Sequence, residues 1–365
     1  MPNFVRLPRC LNRTLSGFIL CASILIFAPT YACSESGGPP GRLITSMGIA
    51  VNIATHKVYA VNEDEGSVSV LDERTGTTRI VKTGNAPIAI AINQKTNTVY
   101  VVNTGSGTIS VIDGAQDAVV ATVRGEEHPY VLAVNEATNT IYVTNTWSDA
   151  LTVIDGETNT AHAWRTGSAD GIVVDSCSNT IFLMTYEDPD VRILDGNTGK
   201  LTRFTIGPHS WGMVFDSLSN ALYLAHIGTN DVVSLDITTH RITHFPAGNI
   251  PCAVAVQSAT HTIYAVNYGD ETLSIIDAAQ NKLLTSLPVG KHPQVIAIDS
   301  ARNLIYVANV HGDSVTVIDS SKKAVIGTFP AGKSPYALAL DLDSGRAYVA
   351  NYGLPSFTSI ALAHR

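Results

Sequence analysis

The sequence predicts an all-β fold, a single β-propeller of eight blades with about 42 residues each, with a seven-bladed ring as the alternative. The first observation is a five-residue segment, best seen as Ile141-Tyr142-Val143-Thr144-Asn145, that recurs through the chain. Its aromatic residues are 40 to 42 positions apart, a period typical of propellers and solenoids. These aromatic residues are Tyr59, Tyr100, Tyr142, Phe182, Tyr223, Tyr264, Tyr306 and Tyr348.

The second observation is a frame of constant length around each aromatic residue. A polar residue stands seven positions before it, and an Asp stands thirteen positions after it in seven of the eight copies, Ala361 being the exception. The apolar runs within the frame alternate with short turns rich in Gly, Asn, Asp and Thr, which predicts three antiparallel strands. A more polar stretch, such as 118–124, follows each frame and predicts the fourth, outermost strand of a blade.

Three parts of the chain follow from these patterns. Residues 1–32 carry Arg6, Arg9 and Arg13 before an apolar run at 15–28 and small residues at the end, which predicts an export signal peptide. About 14 apolar residues are too few to cross a bilayer core of ~30 Å, although a retained anchor is the alternative. We expect residues 33–46 to help close the ring, with a three-stranded last blade as the alternative, and residues 47–365 to form the propeller.

Composition limits the partners of the exported chain. Removal of residues 1–32 leaves 20 Lys plus Arg against 31 Asp plus Glu, a charge of −11 with His neutral. Such an acidic protein is a poor binder of phosphate backbones. We expect a monomer in the periplasm, at the cell surface or outside the cell, held at a membrane only if Cys33, directly after the cleavage site, is lipidated.

The combined motif resembles that of a known family. Tyr-Val-Thr-Asn follows Pro-x-x-Ile-Ala-Ile-Asn and precedes Val-Ile-Asp, as at 87–93, 142–145 and 153–155, and this arrangement is similar to the YVTN-repeat (YncE-like) β-propellers. The resemblance covers residues 47–361 and implies an exported or surface-layer propeller. The wider structural neighbourhood implies three further options, which are single-stranded DNA binding, sugar-lactone hydrolysis and haem carriage.

Candidate site residues are those that break the repeat, because repeated residues serve the scaffold. The position twelve before the aromatic residue varies from blade to blade, and we expect it to line one opening of the channel. It is occupied by Met47, Ile88, Tyr130, Asp170, Trp211, Cys252, Gln294 and Tyr336. The fourth and fifth repeats also lose the Asn of the segment and carry unusual loops.

These departures predict a binding patch for a small polar or aromatic-stacking ligand, a peptide or a protein. The patch consists of Tyr130, Asp170, Tyr186, His209, Trp211, His226 and Tyr336. Neutral drift in two blades is the alternative explanation of the same departures.

The sequence assigns no catalytic residue, metal ligand or cofactor. His128, His209 and His292 are equivalent residues of alternate blades, but backbones ~18 Å apart cannot hold one metal ion, so we expect them on the loop rim. No nucleophile elbow, CxxCH haem motif or phosphate-binding Gly loop is present in the sequence. Asp170 and His209 are the pair that an acid–base mechanism of lactone opening would use. The preferred prediction is a non-enzymatic binding propeller.

Overall fold

A computed structural model describes residues 48–352 and 357–361 of the chain. Their strands form eight separate antiparallel sheets, and within each sheet the strands pair in the order of the chain. The prediction of an eight-bladed, all-β propeller is therefore confirmed. The predicted signal peptide at 1–32, Cys33, the segment 33–46 and Met47 lie outside the described residues.

Each of the first four sheets has four strands. They are blade 1, β1 (Ile49–Asn52), β2 (Lys57–Asn62), β3 (Ser67–Asp72) and β4 (Thr77–Lys82); blade 2, β5 (Pro87–Asn93), β6 (Thr98–Asn103), β7 (Thr108–Asp113) and β8 (Ala118–Arg124); blade 3, β9 (Pro129–Asn135), β10 (Thr140–Asn145), β11 (Ala150–Asp155) and β12 (Ala161–Arg165); and blade 4, β13 (Gly171–Asp175), β14 (Thr180–Met184), β15 (Asp190–Asp195) and β16 (Leu201–Thr205).

The remaining sheets have four, four, four and three described strands. They are blade 5, β17 (Ser210–Asp216), β18 (Ala221–His226), β19 (Asp231–Asp236) and β20 (Ile242–Pro246); blade 6, β21 (Pro251–Gln257), β22 (Thr262–Asn267), β23 (Thr272–Asp277) and β24 (Lys282–Pro288); blade 7, β25 (Pro293–Asp299), β26 (Leu304–Asn309), β27 (Ser314–Asp319) and β28 (Ala324–Pro330); and blade 8, β29 (Pro335–Asp341), β30 (Arg346–Asn351) and β31 (Phe357–Ala361). Two single 3-10 turns, Ser258–Thr260 and Val310–Gly312, lie in loops of blades 6 and 7. No helix in the described part is long and apolar enough to cross a membrane.

The first strands of the blades surround the centre and close the ring. Each contacts the first strand of the next blade, from β1 through β5, β9, β13, β17, β21 and β25 to β29, and β29 in turn contacts β1. Large apolar side chains fill the space between sheets, and each contributes about 1.5–3 kcal/mol by leaving water. The seam of the ring therefore lies between blades 8 and 1, where the two ends of the repeat meet.

The repeated side chains stabilise the blades. Tyr100 and the other tyrosines of the second strands are fully buried. Asn103, at the end of β6, donates from Nδ2 to Ser110 Oγ of β7 at 3.0 Å, and the same bond recurs in blades 1 and 6. Asp72 Oδ1 accepts the N–H groups of Arg74 and Thr75 at 2.9 and 3.2 Å, which stabilises the following turn. These contacts agree with the expectation that repeated residues serve the scaffold.

The variable position of the first strand does not line an open channel, contrary to our expectation. Ile88, Tyr130, Trp211, Cys252 and Gln294 are all buried, and only Asp170 and Tyr336 of the described members are half-buried. The reason is a change of register at this point in most blades, a β-bulge that sets two residues of the first strand against one of the second. The side chains at the bulge therefore pack between blades rather than facing the centre.

Candidate functional site

The departures in blades 4 and 5 meet where three loops touch at one end of the strands. These loops are the β14–β15 loop at 185–189, the β16–β17 loop at 206–209 and the β18–β19 loop at 227–230. His209 connects all three, because its N–H donates to Tyr186 O at 2.8 Å and its carbonyl accepts the N–H of Ile227 at 3.0 Å. Its φ of 67° lies in the left-handed region, as the equivalent loop residues of other blades do.

Aromatic rings form the body of this site. The ring of Tyr186 lies 4.8 Å from the imidazole of His209 and 5.1 Å from the indole of Trp211, in an edge-on arrangement with the indole at 69°. Trp211 is only 2% exposed, whereas Tyr186 and His209 are half-buried. Tyr186 and His209 are therefore the surface of the cluster, and Trp211 is its floor.

Four buried polar atoms of the cluster have no hydrogen-bond partner. They are His209 Nδ1, Ser210 Oγ, Trp211 Nε1 and His226 Nε2. A buried polar group without a partner costs about 1–3 kcal/mol, so four in one place are a marked departure from ordinary packing. Their chemistry is mixed, since the indole can only donate and an imidazole nitrogen can accept.

The hydrogen bonds of His226 determine its tautomer. Thr229 Oγ1 donates to the carboxylate of Asp231, which can only accept, so the hydroxyl must itself accept from His226 Nδ1 at 2.8 Å. The Nδ1–H tautomer leaves a lone pair on Nε2, and that atom is buried without a partner. A histidine held in this way is prepared to accept a hydrogen bond or to coordinate a metal ion.

Two glycines lie directly beside the imidazoles. A Cβ at Gly207 would stand 2.9 Å from His226 Nε2, and a Cβ at Gly228 would stand 3.5 Å from His226 Cε1 and 3.6 Å from His209 Cδ2. Both histidine rings therefore border the space at Gly228. Any side chain at Gly207 would close the approach to Nε2.

Arg192 is a site residue that sequence reasoning missed. It is only 1% exposed, and its guanidinium donates to Thr166 O at 2.9 Å, Ser168 O at 2.6 Å and Thr185 Oγ1 at 2.6 Å. Burial lowers the pKa of this guanidinium, while the charge of Asp188 opposes that shift. Arg192 thereby supports the loop at 166–168 that leads into Asp170.

The signal for Arg192 lies in two positions of the repeat taken together. In six blades an Asn three residues after the aromatic bonds a Ser or Thr ten residues after it, as Asn103 bonds Ser110. In blade 4 the pair is Thr185 with Arg192, and the bond between the two positions is kept with the donor reversed. In blade 5 the pair is His226 with Val233, which cannot bond.

The structure brings five of the seven predicted patch residues together. Asp170 joins the cluster because its Oδ2 accepts the N–H of Tyr186 at 3.1 Å, which adds to Tyr186, His209, Trp211 and His226. The proposed acid–base pair is thus connected through a backbone, since Tyr186 donates to Asp170 and accepts from the His209 N–H.

The other two predicted residues lie elsewhere. Tyr130 is buried in the core cluster between blades 2, 3 and 4. Tyr336 is in blade 8, across the ring from blade 4, with its ring 5.9 Å from that of Tyr352. Burial, and then the charge of Glu63, raises the pKa of Tyr336. The seven residues therefore do not form one patch.

The three equivalent histidines have separate aromatic partners. His128 stacks on Trp147 at 4.0 Å, His209 lies against Tyr186, and His292 stacks on Tyr268 at 4.5 Å. All three have left-handed backbones in the loops before their first strands. They lie on the loop rim, as expected, and belong to three different ring clusters.

A polar groove of about 280 Å³ lies away from this cluster, between blades 1 and 2. Its lining includes Lys57 and Asp117, which form an ion pair at 2.7 Å. Because these two charges already satisfy each other, the groove offers less to a ligand than the unpartnered atoms beside His226 do.

Comparison with known proteins identifies the fold alone. No family profile matches the chain, and no curated protein matches its sequence. Among solved structures, Kuenenia stuttgartiensis hydrazine synthase is similar over 95% of this chain and 99% of that chain, with a TM-score of 0.61 and 16% identity. The dihydro-heme d1 dehydrogenase NirN, in complex with DHE, is similar over 89% of this chain and 74% of that chain, with a TM-score of 0.71 and 13% identity. Both neighbours are enzymes, and at these identities the likeness establishes a shared propeller architecture.

Proposed function

We propose that this chain is an exported binding propeller that recognises a small polar aromatic ligand, or an aromatic side chain of a peptide, at the cluster of Tyr186, His209, Trp211 and His226. The four unpartnered buried atoms of this cluster carry the proposal. A ligand with both a donor and an acceptor would satisfy atoms that the protein itself leaves without partners.

The contacts of the cluster support binding more than catalysis. Tyr186 offers a half-exposed ring for stacking, and stacked or edge-on aromatic pairs add about 0.5–1.5 kcal/mol beyond the area they bury. The carboxylate of Asp170 accepts a backbone N–H of the same loop, a bond that would hold the loop in place. A scaffold of this kind positions a ligand, and it needs no reacting group.

A metal-bearing cofactor such as a haem is the second candidate, because one observation favours it. The Nε2 atom of His226 is buried and has no hydrogen-bond partner. Thr229 and Asp231 hold the ring through Nδ1, as hydrogen-bond acceptors hold the other ring nitrogen of metal-ligating histidines. His226 would hold the metal through Nε2, and Tyr186 would stack on the cofactor. The structurally similar NirN is a dihydro-heme d1 dehydrogenase, and its likeness to this chain concerns the fold.

Ligand-observed NMR with a panel of polar aromatic compounds and aromatic dipeptides tests the proposal. We expect binders whose signals and whose quenching of tryptophan fluorescence disappear in Tyr186→Ala and in His226→Ala. His128→Ala is the matched control, because it removes an imidazole stacked on an aromatic ring of the same rim in blade 3. Compounds that bind Tyr186→Ala and wild type equally would refute the assignment.

The cofactor candidate has a separate readout. The chain purified from its native envelope would show a Soret band in its absorption spectrum, and His226→Ala would lose that band. A spectrum without the band, together with a bound aromatic compound, would leave ligand binding as the function of the cluster. Mass spectrometry of the mature N-terminus would test both export and lipidation at Cys33.

A further inference from the structure

Some junctions between blades follow one rule at the end of the strands opposite to the candidate site. Among the described residues, the Asn or Gln that ends a first strand donates to an Asn with left-handed backbone in the first turn of the next blade at four of the eight junctions. Asn52 Nδ2 donates to Asn97 Oδ1 at 2.8 Å, and Asn93 Nδ2 donates to Asn139 Oδ1 at 2.7 Å. Neutral amides thus join these four pairs of blades by a hydrogen bond, whereas the other four first strands end in an Asp.

The seam between blades 8 and 1 differs from these four amide-joined junctions at three positions. Asp341 replaces the donor amide, and His56, with a φ of 55°, replaces the accepting Asn. Glu73 stands directly after the third strand of blade 1, a position that is small or apolar in the next six blades. Its counterparts are Gly114, Gly156, Gly196, Ile237, Ala278 and Ser320.

The three replacements converge. His56, Glu73 and Asp341 each bring a potential ligand atom within 4.8 Å of the other two. Asp341 is 0% exposed; its Oδ1 accepts the N–H of Asp343 at 2.9 Å, while its Oδ2 is buried without a hydrogen-bond donor and the carboxyl group of Glu73 lies beside it. Glu73 Oε2 is likewise buried without a partner, and Tyr348 donates its hydroxyl to Oε1 of the same carboxylate.

We propose that His56, Glu73 and Asp341 bind a first-row divalent transition-metal ion, with Zn²⁺ as the best fit, and that this ion joins blade 8 to blade 1 at the seam of the ring. One imidazole nitrogen and two carboxylates are a donor set that Zn²⁺ accepts, and the imidazole argues against Ca²⁺ or Mg²⁺. A divalent ion would neutralise two carboxylates that lie side by side. The Tyr348 hydroxyl would orient the Glu73 carboxylate through its hydrogen bond to Oε1.

The junction between blades 5 and 6 resembles the seam but lacks the second carboxylate. Between blades 5 and 6, Asp216 and His261 occupy the positions of Asp341 and His56, but Ala278 stands where Glu73 does. The backbone is the same, because the N–H groups of Glu73 and Ala278 each donate to the carbonyl of the preceding histidine position at 2.9 Å. There Asp216 Oδ2 accepts the hydroxyl of Ser219 at 2.6 Å, so that oxygen has a partner without a cation.

Zinc titration of the untagged full-length chain, freed of metal with a chelator, tests the proposal. We expect one tight equivalent of Zn²⁺ by calorimetry, a rise in the thermal midpoint on adding Zn²⁺, and reversal by EDTA. Asp341→Asn and Glu73→Gln should each weaken binding at least tenfold. Tyr348→Phe, which removes only the hydroxyl that orients Glu73, should weaken zinc binding about 10- to 100-fold.

The junction between blades 5 and 6 supplies both the control and a second test. Asp216→Asn should leave the zinc affinity unchanged, and Ala278→Glu should create a second equivalent. If wild type binds no Zn²⁺ and its thermal midpoint is the same with and without the metal, the proposal is wrong and the two carboxyl groups share a proton instead. Stoichiometric binding that survives Asp341→Asn would equally overturn it. Neither result bears on the ligand cluster of blades 4 and 5.

Discussion

Replacing Arg192 by Ser tests whether blade 4 diverged as a coordinated change. The substitution removes the three hydrogen bonds from the guanidinium to Thr166 O, Ser168 O and Thr185 Oγ1. Ser is the residue at the equivalent position of blades 1, 2 and 6, so the backbone can accommodate it. What changes is the support of the loop that leads into Asp170.

The expected loss in the free energy of unfolding follows from the two carbonyl groups that Arg192→Ser leaves without hydrogen bonds. Thr166 is buried, and an unsatisfied buried carbonyl costs about 1–3 kcal/mol, with a similar penalty at Ser168. Release of a buried cation offsets part of this, because desolvation of such a group costs several kcal/mol. We expect a net loss of about 3 kcal/mol. With an unfolding entropy of ~2.1 cal/mol/K per residue over about 310 residues, the melting temperature should fall by about 5 °C.

Calorimetry of four chains measures this effect as a double-mutant cycle. The chains are wild type, Arg192→Ser, Thr185→Asn and the double variant, which rebuilds the Asn–Ser pair that spans 3.0 Å in blade 2. The double variant should recover about 1 kcal/mol relative to Arg192→Ser, the net value of one such bond. A loss under 1 kcal/mol for Arg192→Ser, or no recovery in the double variant, would refute the reasoning.

Three further predictions concern single residues. Gly207→Ala should destabilise the chain by about 1–3 kcal/mol and abolish ligand binding, because φ is 107° and the new Cβ would lie 2.9 Å from His226 Nε2. Gly76→Ala is the control, because its φ is 69° and no atom lies within 4 Å of the new Cβ. The control variant should lose stability only. The backbone N–H of Asn197 lowers the pKa of Asp195 in the folded state. The Asp195 carboxylate therefore adds to the free energy of unfolding above the pKa it has in the unfolded chain, and this addition is lost as the pH falls through the folded pKa. Asp195→Asn should flatten the acid limb of a pH–stability curve. Burial raises the pKa of Tyr100 to about 12, so stability should fall as pH rises above ~10, and Tyr100→Phe should reduce that alkaline loss in denaturant titrations.

The fold was predictable because a propeller repeats its constraints. Each blade must bury a Tyr such as Tyr100, fasten a loop with Asn103 and end a strand with Asp113, so periodicity reports the architecture directly. Bulges are not visible in such a period, which is why Trp211 was expected at an opening and is found between blades. The bulge rotates the side chain without changing the spacing of the repeat.

The site at the seam could not be predicted by comparing neighbouring repeats. His56 and Glu73 belong to the first blade and Asp341 to the last, and only closure of the ring brings them within 4.8 Å. When its own blade is considered alone, each is an ordinary polar residue, His56 and Glu73 in turns and Asp341 at the end of β29. The three residues come together only because β1 of the first blade contacts β29 of the last blade.

The two divergent blades differ in how the changed positions find hydrogen-bond partners. Drift should replace one member of a bonded pair and leave the other unsatisfied in either blade. In blade 4 both members changed and the bond survived, since Arg192 donates to Thr185 at 2.6 Å. In blade 5 Val233 cannot bond His226, yet Thr229 and Asp231 hold the ring on its Nδ1 side, and Gly207 lies against its Nε2 side, where a Cβ would not fit. An imidazole that is held on its Nδ1 side and left without a partner at its buried Nε2 is the arrangement on which the proposed binding site rests, and a change at one position alone would not produce both halves.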